Sequence, residues 1–203
     1  NSKRYNSSVL IDRSGKIAGI YHKNFPTQEE MDAGITPGTK TPVFETDFGC
    51  IGLCICFDMN YWEVGAGFAA NGAELVIWSS MWPGGRMLTK WAIEFGFNIA
   101  ACCYDRSTFM DAAGREIMLA KRNIYDAIGE PASPVDNVTI DMDMRLLHHD
   151  YSINKLKAVY EKYGSNSIYA EWLRNECLLV FNSLMTDVST DEIIKEFNME
   201  TNQ

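Results

Sequence analysis

Positive charge is scarce in this chain: 18 lysines and arginines stand against 27 aspartates and glutamates, a balance of 18 − 27 = −9 over 203 residues. A surface so short of cations is ill suited to a phosphate backbone or an anionic bilayer, so neither nucleic acid nor membrane is expected as a partner. No apolar run is long enough to cross a bilayer, and the opening Asn1-Ser2-Lys3-Arg4-Tyr5-Asn6 has no apolar stretch of signal-peptide type behind it. A disulfide framework is also lacking. The cysteines at 50, 54, 56, 102, 103 and 177 sit at neighbouring or alternate positions in apolar strands, which suits reduced thiols and a cytosolic setting. There is no tandem repeat and no low-complexity tract. Glutamate is missing from residues 1–22, where the one acid is Asp12.

Apolar residues, by contrast, make up 46% of the chain, enough for one globular domain with a substantial interior. Residues 9–12 and 16–21 read as strands joined by the turn Arg13-Ser14-Gly15. A loop follows over 24–41, broken by Pro26, Gly34 and Pro37-Gly38, and loops of that length in a compact domain are often functional. Residues 43–46 and 51–56 form a second hairpin around Asp47-Phe48-Gly49. A helix is predicted over 62–71 with Gly72 ending it, then a buried strand over 73–79. After the break at Pro83-Gly84-Gly85 come an amphipathic helix from Arg86 to about Phe97 and a buried strand over 99–104. Residues 107–120 repeat the hairpin pattern around Asp111-Ala112-Ala113-Gly114-Arg115, 121–136 read as loop, and 138–142 as a final strand. From Asp150 onward the pattern is helical, over 153–163, near 169–184 and over 190–197, with Ser189 and Glu192 as a capping box for the last helix. This order predicts an α/β domain with mixed sheets over 1–145 and a helical extension over 146–203, packed on the same domain or on a partner subunit.

Cys56 is the residue with most chemical promise. It ends the run Ile51-Gly52-Leu53-Cys54-Ile55-Cys56 and precedes Phe57-Asp58-Met59-Asn60-Tyr61-Trp62-Glu63, a strand, polar turn and helix that would hold a side chain exposed at the end of a sheet. A strand-end cysteine taken alone is usually a small buried hydrophobe. Here Tyr21-His22-Lys23 closes another strand-like run and offers an ammonium to stand beside a thiolate. A cysteine, a lysine and nearby glutamates suggest covalent attack on a carbon–nitrogen bond. Cys54 and Cys56 with His148-His149 lack zinc-ligand spacing, so no metal is expected, and no cofactor either. Cys102-Cys103 point to opposite faces of a strand and read as packing.

An ordered series of blocks adds to this: Tyr5-Asn6-Ser7-Ser8-Val9-Leu10-Ile11-Asp12 with Gly15-Lys16, Tyr21-His22-Lys23, Gly34-Ile35-Thr36-Pro37-Gly38, and Val43-Phe44-Glu45-Thr46-Asp47-Phe48-Gly49. It continues through Ile55-Cys56-Phe57-Asp58, Asn71-Gly72-Ala73-Glu74 and Ala92-Ile93-Glu94. The series resembles the nitrilase, or carbon–nitrogen hydrolase, superfamily over most of residues 5–145. That resemblance implies a four-layer α-β-β-α sandwich paired with a second subunit, hence a homodimer or larger homo-oligomer. It also implies chemistry by a glutamate, a lysine and a cysteine, usually with a second glutamate. By residue match Cys56 resembles the nucleophile, Lys23 the catalytic lysine and Glu30 the second glutamate, just before Met31-Asp32-Ala33-Gly34-Ile35, with Glu29 its near rival.

In the family the first glutamate precedes the lysine, on an N-terminal segment, whereas here no glutamate precedes Lys23. The chain, which opens without methionine, is therefore expected to begin inside the sandwich, as part of a complete enzyme. The alternative is an inactive, nitrilase-like interaction subunit. Gly65 and Gly67 in the helix after the nucleophile, each costing about 1 kcal/mol against alanine, and Trp91 and Phe95 in the next helix also depart from the family pattern and bear on local packing. The expected reaction is hydrolysis of a linear amide, N-carbamoyl amine or nitrile through a thioester. Lys23 and the Phe57 N–H would stabilise developing charge, and Tyr61, Met81 and Trp82 would line the substrate pocket. A sandwich lacking strands exposes edges and apolar faces, so the isolated chain is expected to aggregate or bind a partner.

Overall fold

The computed structural model describes residues 3–103, 106–121 and 136–201. Its centre is a six-stranded sheet in the order β3-β4-β5-β6-β7-β8, formed by β3 (Val43–Thr46), β4 (Gly49–Ile55), β5 (Leu75–Ser80), β6 (Asn98–Cys103), β7 (Arg106–Met110) and β8 (Glu116–Lys121). The three middle strands run parallel and the flanking pairs antiparallel. Residues 51–55 of β4 are buried on both faces, as expected of a central parallel strand.

The connections between the parallel strands are α2 (Trp62–Ala70) and α3 (Arg86–Phe95). Helix α3 buries Leu88, Trp91, Ala92 and Phe95, spaced at three and four residues, and stops at Gly96 in the left-handed region. On the opposite side of the sheet lies a hairpin of β1 (Ser7–Ile11) and β2 (Ile17–His22). Register separates the two sides. Gly52 abuts Phe68 of α2, while Phe44, paired with the next residue Ile51, abuts Gly19 of β2. Helices, large sheet and hairpin thus form three stacked layers of a mixed α/β fold, the α, β and β layers of the four-layer α-β-β-α sandwich expected. The hairpin's outer face leaves Val9, Ile11, Ile17 and Ile20 exposed.

The stretch 24–41 is not loop throughout, since it contains α1 (Gln28–Asp32), capped by Thr27 with Glu30. The turns of the three hairpins stand where expected. Of the predicted loop 121–136, residues 122–135 lie outside the described residues, as does Tyr104.

Two expectations for the C-terminal part are corrected. Residues 138–142 are not a strand. Pairing begins only after a turn in which Asp141 accepts from the Asp143 N–H at 2.9 Å, at β9 (Arg145–His148). The region near 169–184 is not a helix but an antiparallel hairpin of β10 (Ile168–Leu173) and β11 (Leu178–Ser183), in a three-stranded sheet ordered β10-β11-β9. Valine, isoleucine, phenylalanine and tryptophan favour a pleated surface, and Cys177 in the left-handed region turns the chain between the strands. The helices of this part are α4 (His149–Ser152), α5 (Leu156–Tyr163) and α6 (Thr190–Glu196), packed on a cluster that includes Leu147, Val159, Phe181 and Ile193. The capping box of Ser189 and Glu192 is present as expected. No helix among the described residues is long and apolar enough to cross a membrane.

Candidate active site

The middle strands β4, β5 and β6 end together, with Ile55, Ser79 and Cys102 in one row. Ligands of such sheets bind beyond the carboxyl ends of parallel strands. Cys56 is the first residue past that row on β4 and opens a 3-10 turn over Cys56–Asn60. Its φ is +44°, a left-handed conformation that costs a non-glycine residue about 1–3 kcal/mol and clusters at functional sites. The indole N–H of Trp78, on the neighbouring strand, donates to the Cys56 carbonyl at 3.1 Å and helps to hold this bend. The Cys56 side chain is partly exposed, while Cys54, two residues back, is fully buried. Burial first, and then the nearby Asp58 carboxylate, push the Cys54 thiol well above its ordinary range, so it stays protonated.

Lys23 follows β2 and is 3% exposed. Its backbone is tied on both sides, its N–H donating to the Asn6 carbonyl and its carbonyl accepting from the Gly38 N–H. A buried ammonium needs an anion, and Glu30 supplies it, with Lys23 Nζ donating to Oε2 at 2.7 Å. The same carboxylate accepts from the Thr27 N–H and from Asn6 Nδ2, both at 2.6 Å. Partial burial works against its ionisation, but the donors from Lys23, Thr27 and Asn6 outweigh it and hold the carboxyl down to about 2. Glu29, one residue away, is exposed.

Asp58 lies between these two segments. Its carboxylate is wholly buried and accepts from Tyr21 Oη at 2.7 Å, the Phe25 N–H at 2.8 Å and the Ile55 N–H at 3.3 Å. Burial is the largest influence on it and raises its pKa above the ordinary carboxylate range. Lys23 and Glu30 are thus in direct contact. Cys56 is connected to them through Asp58, with no described hydrogen bond from its thiol to Lys23.

Of the residues expected to line a pocket, Tyr61 stacks on Phe25 at 3.6 Å and meets the edge of Phe57 at 5.6 Å. These ring contacts pack the Lys23 segment against the Cys56 turn. Trp82 packs edge-on against Trp78 at 5.6 Å, and Met81, at the end of β5, is 72% exposed. A cleft of about 730 Å³ beside Phe25 is lined by Asn24, Lys40 and Glu63 but by neither Cys56 nor Lys23. No group of three or more histidine, cysteine, aspartate or glutamate side chains converges as a metal site among the described residues.

Sequence reading passed over three residues of this site. Tyr21 and Asp58 stood inside recognised blocks without a role, although an acid set between Phe57 and Met59 signals burial. Thr27-Gln28-Glu29-Glu30 is a capping-box spacing that distinguishes Glu30 from Glu29 within the stretch 24–41.

The family described as carbon-nitrogen hydrolase matches residues 1–108 of the chain through its family model. Over 80 residues the chain is 36% identical to a probable nitrilase of Schizosaccharomyces pombe, covering 38% of this chain and 28% of that protein. Over 82 residues it is 33% identical to N-carbamoylputrescine amidase of Arabidopsis thaliana, covering 38% and 27%. The crystal structure of an amidase from Nesterenkonia sp. superposes with a TM-score of 0.53 at 23% identity, covering 57% of this chain and 50% of that one, a likeness of fold. The matched part is therefore about half of the solved relative and under a third of the two curated ones.

Proposed function

Because the chain belongs to the carbon–nitrogen hydrolase family, we propose that Cys56 is the nucleophile of a hydrolase opening a non-peptide carbon–nitrogen bond in a linear amide, an N-carbamoyl amine or a nitrile. The observation that carries this reading is the left-handed backbone of Cys56 at the carboxyl end of a central parallel strand, which holds a partly exposed thiol out of the sheet. The names of the relatives span nitriles and carbamoyl compounds, so they support the bond class without choosing among substrates.

In this mechanism the Cys56 sulfur adds to the substrate carbon, and the buried ammonium of Lys23 stabilises first the thiolate and then the negative oxygen or nitrogen that forms. The Phe57 N–H lies in the first turn of the 3-10 segment, where amides lack an intrahelical acceptor, and it serves as a second donor. Losing one such donor typically costs about 3–4 kcal/mol of transition-state stabilisation. From an amide or N-carbamoyl amine the nitrogen leaves with a proton as ammonia or amine, whereas with a nitrile a first water adds to the thioimidate before ammonia leaves. Water then opens the thioester. Phe57, Tyr61, Trp82 and Met81 form the apolar surround of the substrate.

Some carboxylate must take the thiol proton and later activate water. Glu30 is not suited to that task, because a carboxyl held near 2 is a weak base at neutral pH and its oxygens are already bonded. Its part is to hold Lys23. Asp12 is engaged in its own turn with Ser14 and Lys16. Asp58 is wholly buried with its oxygens taken by Tyr21, Phe25 and Ile55, so the reading requires a carboxylate other than Glu30, Asp12 and Asp58 to act at Cys56. The free thiols support a reducing compartment such as the cytosol, and the exposed apolar face of β1–β2 supports assembly as a homo-oligomer.

The test is to supply the full-length protein with linear amides, N-carbamoyl amines and nitriles and to assay acid and ammonia or amine. Turnover is expected, with stoichiometric electrophile labelling of Cys56 and loss of turnover to background in Cys56→Ala. Absence of product from all three classes would overturn the reading and leave a non-catalytic interaction subunit in its place.

A further inference from the structure

The buried group that this chemistry leaves unused is Asp58. No cation is bonded to its carboxylate among the described residues, and its donors are Tyr21, Phe25 and Ile55. Tyr21 and Phe25 flank Lys23 two residues to either side. Ile55 immediately precedes Cys56, and Asp58 itself follows two residues later. Tyr21 Oη accepts in turn from the Asn24 N–H at 3.4 Å. One carboxylate thus grips both segments, while the backbone bonds of Lys23 run elsewhere, to Asn6 and Gly38. The stacked rings of Phe25 and Tyr61 add an apolar contact without fixing direction.

We propose that Asp58 is a positioning residue, which sets the placement of the Lys23 ammonium relative to the Cys56 sulfur through its bonds to Tyr21, Phe25 and Ile55. The inference rests on the roles given to Cys56 and Lys23 above. A buried carboxylate costs desolvation that an apolar residue of the same volume avoids, so its value here lies in geometry rather than stability. Misplacing a reacting group by about 1 Å costs roughly 10²-fold in rate. The titratable groups facing the region are Tyr21 on β2, Lys23 with Glu30 beyond it, Cys54 on β4, and Cys56 and Asp58 in the turn.

The experiment follows alkylation of Cys56 by iodoacetamide against pH, read by mass spectrometry of its peptide, in the full-length protein and in Asp58→Asn and Tyr21→Phe. The two possible roles give opposite signs. Removing an anion near Cys56 favours its thiolate and moves the profile to lower pH, whereas slackening the placement of Lys23 moves it to higher pH. Tyr21→Phe removes one bond and no charge. Expected are displacements to higher pH in both variants, by about one pH unit in Asp58→Asn, with kcat reduced more than KM is changed. Folded variants whose profile is unmoved, or moved to lower pH, overturn the positioning role. Tyr21→Phe deletes only a hydroxyl and decides the matter if Asp58→Asn does not fold. Absence of turnover in the unsubstituted protein would count against the hydrolase reading, and the alkylation profiles would still decide the role of Asp58.

Discussion

At Glu30 one carboxylate closes the capping box of α1 and carries the ammonium of Lys23. Both duties favour its ionised form, which sets a pH dependence of known sign. Its carboxyl is held at about 2 in the folded chain against an ordinary 4.5, so its contribution to stability is fully present above about 4.5 and is lost as pH falls toward 2. Glu30→Gln is expected to flatten that acid limb in urea titrations repeated across pH. At pH 6 the same variant should be less stable by about 1–3 kcal/mol, because Lys23 keeps its buried charge without a counter-anion. An acid limb unchanged by the substitution would show that other carboxylates govern it. The residue scale is also where sequence reading was most uneven. Cys56, Lys23 and Glu30 stand out through their neighbours in the chain, whereas Tyr21 and Asp58, which meet only when distant segments pack, do not.

Helices α2 and α3 show how an apparent weakness in one element answers a demand from the next. Gly65 in α2 is a poor helix residue by about 1 kcal/mol against alanine, yet a Cβ there would stand 2.1 Å from Cε2 of Phe95 on α3. That ring is buried beside Trp91 at 5.5 Å and Phe97 at 5.7 Å and has little room to yield. Overpacking of this kind costs about 1–3 kcal/mol. Gly65→Ala is therefore expected to lower stability by up to about 2 kcal/mol net of the helix-propensity gain. In a Phe95→Leu background it should become neutral or stabilising, and a double-mutant cycle by denaturant unfolding measures the coupling. The glycine and the aromatic that each looked irregular in the sequence are one packing decision.

Across the whole molecule, the C-terminal sheet and helices are tied to the large sheet by a few long-range contacts. Arg145, 15% exposed at the start of β9, donates to Glu74 at the entry to β5 and to Asp191 on α6, at 2.7 and 2.8 Å. Arg115, in the β7–β8 turn, reaches Glu171 on β10 at 2.7 Å, and Ala113 packs with Leu146, Leu178 and Val180. Arg145→Ala is expected to loosen this junction at a cost of about 2–3 kcal/mol, since its hydrogen bonds to two carboxylates go together. Hydrogen exchange locates the effect. Protection should fall in β9, β10 and β11 and stay unchanged in β4, β5 and β6. A uniform fall in both sheets would show that the two parts unfold as one unit.

Local pattern by itself determined the alternation of strands and helices through residues 43–103, the hairpin turns, and the strand-end setting of Cys56. These features depend on period, caps and turn residues that are neighbours in the chain. It misled over residues 168–183, where a run rich in both helix-tolerant and strand-favouring residues took its state from pairing of β10 with β11 and of β11 with β9. Only the tertiary structure decided that Gly65 makes room for Phe95 and that Asp58 reaches Tyr21 and Phe25 across 37 and 33 positions. Such contacts are selected by burial and hydrogen-bond satisfaction once distant segments pack, and no periodicity within either segment specifies them.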